Sequence, residues 1–222
     1  MKKLSTSLWA YFLVLTVIPS FSFAGNFLFK DFSYGTKYED IQNISGVYDC
    51  SDDSQRATLC IDDRNFAGVN TSLVFNFYEN ILIEVTTLSK YSTDAHIKWI
   101  GAISSKFDPI FMISGEISKD LIKEFKTRKN SDVTSDLAAL EQKGVLNSNL
   151  NVSYIEKVEL KRLYKDVNNI TELLEKTNRF TRAVELIFTR DETGDYILAK
   201  FHFPNAALAL MQKNMSKKHE DF

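Results

Sequence analysis

Residues 71–88 read TSLVFNFYENILIEVTTL, and this stretch decides the fold. Leu73, Phe75 and Phe77 alternate with Val74, Asn76 and Tyr78; Glu79 and Asn80 supply a turn, and the run from Ile81 to Val85 is again rich in β-branched residues. Period-two alternation on both sides of a polar pair predicts an antiparallel hairpin.

Working outward, Ser92 or Thr93 is placed to cap a helix over 93–107, in which Ile97, Ile100, Ile103 and Phe107 form an apolar stripe that should lie on the sheet. Asp108-Pro109 is expected to end it. Upstream, 27–34 reads as a short strand running into Gly35, and Thr36 with Glu39 has the spacing of a reciprocal helix cap. Gly46 then stops a short helix. The segments 47–50 and 57–61 read as two strands facing each other across Asp52-Asp53-Ser54.

Past Gly115 the composition shifts to Lys, Glu, Asn and Leu. Helical spacing is read at Ile117, Leu121, Ile122 and Phe125, and at Leu137 and Leu140 before a terminating Gly144. Two further helices follow, over 154–164 and behind the Asn169/Glu172 cap, so that 115–180 reads as a helical insertion. Strand composition returns at 181–204, where Val184, Leu186 and Phe188 alternate before a turn at 191–194, and a small-residue helix closes the chain over 206–212. The fold class is therefore α+β: an antiparallel sheet of about five or six strands, covered by a helix, with a helical insertion. The chain divides into a leader, 1–24, and one domain, 25–222, made of sheet and covering helix (25–114), insertion (115–180), and hairpin with C-terminal helix (181–222).

The leader has Lys2 and Lys3, an apolar stretch over 8–18, Pro19, and small residues at Ser22 and Ala24. That is the form of a secretory signal peptide cut before Gly25, too short in its apolar core to span a bilayer. The expected address is the bacterial periplasm or beyond, with no stable membrane span after cleavage. Cys50 and Cys60, the two cysteines in 222 residues, then lie in an oxidising compartment and are expected to form a structural disulfide, since neither a C-x-x-C nor a Cys/His cluster is present.

The order Phe32-x-x-Gly35, the Cys50/Cys60 hairpin, Phe66-Ala67-Gly68-Val69, Leu73-x-Phe75-x-Phe77, Ile81-x-Ile83-x-Val85 and Lys106-Phe107-Asp108-Pro109 resembles a loose group of small exported bacterial proteins of unknown function. The resemblance covers about 30–109 and 183–222. It implies a cysteine-tied antiparallel sheet with a packed helix and a Lys-rich C-terminal helix, and it brings no activity and no catalytic residues. The stretch 115–180 departs from it.

Composition excludes more chemistry than it suggests. With 44% hydrophobic and 25% charged residues the chain is globular rather than disordered. Residues 25–109 hold 7 basic and 12 acidic side chains, and 110–222 hold 18 and 17, a poor balance for nucleic acid. His96, His202 and His219 are too scattered for a metal site, and neither a nucleophile elbow nor a glycine-rich phosphate loop is present. No cofactor is expected. Asp49, Asp52, Asp53, Asp62 and Asp63 gather near one hairpin without the alternation a calcium loop needs, so they read as turn residues. The functional reading is a non-enzymatic envelope protein binding another protein or an envelope component. Lys126, Arg128, Lys129, Lys161, Arg162 and Lys165 in the charged helical stretch are the candidate binding residues. The alternative is an envelope enzyme, hydrolase-like, with scattered carboxylates such as Asp62, Asp63 and Glu185.

Overall fold

A computed structural model describes residues 26–51 and 57–220, with side chains as far as Gln212. The expected leader and its cleavage point, and Asp52, Asp53 and His219, lie outside the described residues or side chains.

The chain opens with a small hairpin, β1 (Phe27–Phe29) and β2 (Phe32–Ser33), and a short helix, α1 (Tyr38–Gln42). The expected Thr36/Glu39 cap does not form: the helix starts one residue later than that cap requires, and the Thr36 hydroxyl instead donates to the Ser33 carbonyl at 2.8 Å. Then come β3 (Tyr48–Asp49), β4 (Thr58–Phe66), β5 (Val69–Tyr78) and β6 (Ile81–Lys90). The β5–β6 hairpin turns on Glu79 and Asn80, whose φ values of 48° and 63° are the left-handed pair that a two-residue turn needs to match strand twist. Cys50 and Cys60 are bonded, tying the end of β3 to β4.

Helix α2 (Thr93–Ser104) is capped by the Ser92 hydroxyl, which accepts from Ala95 N at 3.1 Å. It does cover the sheet, but through Ala95, Trp99 and Ile103. Ile97, expected in the stripe, is 67% exposed. Asp108-Pro109 does not end this helix either, because 107–114 is a strand, β7 (Phe107–Ser114), followed by β8 (Ile117–Asp120). Two helices follow, α3 (Leu121–Thr127) and α4 (Asn130–Leu146), then β9 (Leu150–Glu156), α5 (Lys157–Leu163), a single 3-10 turn over 164–166, and α6 (Ile170–Lys176). Asn169 caps α6 as expected, its Oδ1 accepting from Glu172 N at 2.9 Å, while the Glu172 carboxylate accepts from the Asn169 side-chain amide at 3.0 Å and from Asn168 N at 2.9 Å. The chain closes with β10 (Ala183–Asp191), β11 (Gly194–His202) and α7 (Pro204–Glu220).

Nine strands form one antiparallel sheet in the order β3-β4-β5-β6-β11-β10-β9-β7-β8. Two expectations are corrected here. The sheet is larger than five or six strands, and 115–180 is not a purely helical insertion, since β9 sits inside the sheet between β10 and β7. Leu150, Val152 and Tyr154 of β9 belong to the main core, so that stretch helps to build the sheet. Gly144 is likewise not a terminator. It lies inside α4, where a Cβ would come within 2.8 Å of Ser114 Oγ and 2.9 Å of Leu150 Cβ, so glycine is what lets the helix approach β7 and β9. Among the described residues no helix is long and apolar enough to cross a membrane.

One side of the sheet is closed. Leu73, Phe75, Val85, Phe201, Val184, Leu186 and Val152 are buried there against Trp99 of α2, the β1–β2 hairpin, α1 and Leu140 of α4. The other side is partly covered. At one end Ile110, Ile155, Ile122, Leu163, Val167 and Leu173 make a smaller core beneath α5 and α6. The Asn205 amide donates to the carbonyls of Leu174 and Thr177 at 2.8 and 3.2 Å, anchoring the start of α7 beside α6. From that anchor α7 reaches the sheet near β5 and β6, where Met211 meets it.

Candidate functional site

Pairing register fixes what the open side presents, because directly opposed residues of an antiparallel pair project to the same face. One row runs Val74, Thr86, Lys200, Glu185 and Ser153 across β5, β6, β11, β10 and β9. The next runs Asn76, Glu84, His202 and Ala183. On the far side of the first, Leu88, Leu198, Ile187 and Asn151 are aligned. A quartet of titratable side chains, Glu84, Glu185, Lys200 and His202, is thus set among apolar residues on central strands. Residue Ile83 has no partner opposite it, since Asn76 pairs with Glu84 and Phe77 with Leu82. This bulge adds an apolar residue beside Glu84.

A groove of about 320 Å³ follows, lined by Val74, Asn76, Tyr78, Ile83, Glu84, Thr86, Leu88, Leu198, Lys200 and Met211. Its polar groups are unevenly satisfied. Glu84 Oε1 accepts from Asn76 Nδ2 at 2.8 Å and Thr86 Oγ1 at 3.1 Å, which fixes the carboxylate. Its Oε2 has no hydrogen-bond partner among the described residues. Glu185 and Lys200 face each other in register but lie beyond ion-pair distance. His202, at the centre of the quartet, is held below its ordinary pKa: burial disfavours the imidazolium, and the nearby Lys200 adds to this, against the opposing pull of Glu185 and Glu84.

The carboxylates picked out in the sequence are not brought together. Asp62 accepts from the Tyr48 and Ser72 hydroxyls at 2.9 and 2.5 Å, Asp63 from Asn70 at 3.1 Å, and Asp49 from Ser51 N at 2.8 Å. Asp62 and Asp63 border a neighbouring hollow with Ser72, Ser89 and Tyr196, on β4. Glu185 is four strands away on β10, roughly 19 Å at the usual strand spacing. A site combining these three carboxylates is therefore not formed.

The six candidate cations fall into two groups. Lys126 donates to the Val167 carbonyl and stands 5.0 Å from the Tyr164 ring centre. Arg128 bridges Glu124 and Asp136, each at 2.6 Å, and Arg162 forks onto Glu159 at 2.6 and 2.9 Å. Lys129, Lys161 and Lys165 are exposed, the first at the start of α4 and the other two on α5 and the turn after it.

His96 lies against the Phe188 ring at 4.7 Å with its Nε2 buried. That nitrogen is 3.4 Å from Glu141 Oε1, near enough for an ion pair if protonated but not aligned as a hydrogen bond.

The open-face quartet was missed because its members sit on three runs of sequence up to 118 positions apart, as the Glu84 to His202 pairing illustrates. The usable signal was charge inside alternating strands: Glu84 in Ile83-Glu84-Val85, Glu185 in Val184-Glu185-Leu186 and Lys200 in Ala199-Lys200-Phe201 mark half-buried positions. Comparison with known proteins adds no guide, since no protein-family model matches the chain and no curated protein or solved structure matches it either.

Proposed function

We propose that the protein is an exported, periplasmic, non-enzymatic binding protein that engages an envelope protein or other envelope component through the open side of its sheet. The observation that carries this reading is the shape of the site. A groove open to solvent with apolar walls of Val74, Leu88, Leu198 and Met211 suits contact with a partner, and the carboxylates a hydrolase would need are not gathered in it. The open face is preferred over the basic helices because Lys126, Arg128 and Arg162 already have partners within the fold.

The experiment is affinity capture from envelope extracts with the mature chain and two variants. Leu198→Asp puts a charge in the middle of the face and should abolish capture. Val158→Asp changes a residue that is 82% exposed on α5 and should leave it intact. Capture that survives Leu198→Asp but is lost on reversing Lys161, Arg162 and Lys165 moves the binding surface to the helices and overturns the reading. Export is checked separately: N-terminal sequencing of the periplasmic fraction should begin at Gly25, and a retained Met1 contradicts it.

A further inference from the structure

The groove beside α7 has a chemical preference that follows from where its charges lie. Glu84 is oriented by two neutral donors, Asn76 and Thr86, which hold the carboxylate without neutralising it. Lys200, the cation among the groove's described residues, is opposed in register by Glu185 on β10, which lowers its field without pairing with it. His202, next to Glu84 in register, is disfavoured as an imidazolium by burial, so it offsets Glu84 little. One carboxylate with an unused oxygen is then left in a groove walled by Val74, Ile83, Leu88, Leu198 and Met211. Such a carboxylate gains most from a cation that brings its own hydrogen-bond donors. An anion in the same place would meet the Glu84 carboxylate as well as Lys200.

We propose that this groove binds a small organic cation with an apolar body, an alkyl ammonium, whose nitrogen pairs with Glu84 while its hydrocarbon lies along Leu88, Leu198 and Met211. The proposal rests on the reading of the open side as a binding surface and names the ligand class. At about 320 Å³ the groove is at the small end of the range for such ligands. Affinity comes from the apolar wall, and selectivity from Glu84.

Three probes with one hydrocarbon body separate the contributions: octylammonium, 1-octanol and octanoate, titrated into the mature chain by calorimetry, with amide NMR shifts to locate the contact. Octylammonium should bind most tightly and shift amides of β5, β6 and β11. Glu84→Gln keeps an oxygen for Asn76 and Thr86 to donate to. It should weaken octylammonium roughly ten- to a hundredfold, the usual loss for a charged hydrogen bond, and leave octanol unchanged. Lys200→Met removes the competing cation and should tighten octylammonium, which provides an independent reading should Glu84→Gln fold poorly. Preference for octanoate, no loss in Glu84→Gln with no gain in Lys200→Met, or absence of octylammonium binding overturns the proposal. If octylammonium fails to bind while Leu198→Asp still abolishes partner capture, the ligand class falls and the binding surface stands. If it binds while Leu198→Asp leaves capture intact, the groove is a small-molecule site and the partner lies elsewhere.

Discussion

The two sides of the sheet are made by the same strands and treat polar groups in opposite ways. On the closed side, Phe75, Val85, Phe201 and Val184 occupy successive central strands and all are buried against a helix that contributes Trp99. One position along, the open side sets Asn76, Glu84 and His202 across three of the same strands, with Lys200 and Glu185 beside them. A one-residue step therefore separates a hydrocarbon core from a row of charges. On the proposed reading, stability and recognition are divided between sides of one sheet and not between domains, so substitutions on each should be separable.

The largest test of that division is Trp99→Ala. Trp99 is fully buried, and its removal should cost about 3–5 kcal/mol in denaturant unfolding, while Leu198→Ala on the open side should cost under about 1 kcal/mol. Equal costs would break the comparison. Removing the disulfide with Cys50→Ser and Cys60→Ser should come next, about 2–3 kcal/mol for a short closed loop, lowering the melting temperature without preventing folding. Free thiols in the native wild-type chain, detected by alkylation without reductant, would contradict the bond itself. Gly144→Ala should then destabilise by about 1–2 kcal/mol, although alanine is the better helix former, because the added methyl meets Ser114 and Leu150. A stabilising result would mean that α4 can move off the sheet.

The smallest effect concerns protons on the open side. His202 is lowered in the folded state, so the unfolded chain binds a proton more readily. Its contribution to stability is fully present above the unfolded imidazole value of about 6.5, and is lost as pH falls from there towards the lower folded value. Glu84 on β6, Glu185 on β10 and Lys200 on β11 are the charges that face it. Melting temperatures measured across this window should fall less for His202→Gln than for wild type. An unchanged slope would show that other groups carry the dependence.

Much of the architecture was legible and some was not, for physical reasons. The β5–β6 and β10–β11 hairpins were readable because each alternates without a break on at least one strand, as Leu73, Phe75 and Phe77 do. Strand β7 was hidden by Pro109, normally a breaker. Here Pro109 is exposed beside a bulge at Ile110, where a missing amide is tolerated. Strand β9 was absorbed into the helical insertion, its last three residues into the helix expected over 154–164, because Leu150-Asn151-Val152-Ser153 is short and polar on alternate positions. The stripe of α2 was misassigned by a third of a turn: Ile97, Ile100 and Ile103 fit helical spacing as well as Ala95, Trp99 and Ile103, and the large indole took the core. The disulfide was legible from two cysteines behind an expected export signal. The open-face quartet was not, since it exists only once distant strands are placed in register.

The order of the strands has a consequence for how the molecule is completed. The centre of the sheet is the pairing of β6 with β11, which joins Glu84 to His202 and Lys90 to Tyr196. During synthesis, β3 to β6 emerge early and can associate as a local meander, but the outer edge of β6 has no neighbour until the last strand of the chain arrives. The seam of the molecule is thus its final stitch. Ten residues of β6, with Leu82, Val85, Thr86 and Thr87 all destined for burial, wait as an unprotected edge throughout that interval. Any product that stops short of residue 194 keeps that edge permanently and has a ready template for pairing with its own kind.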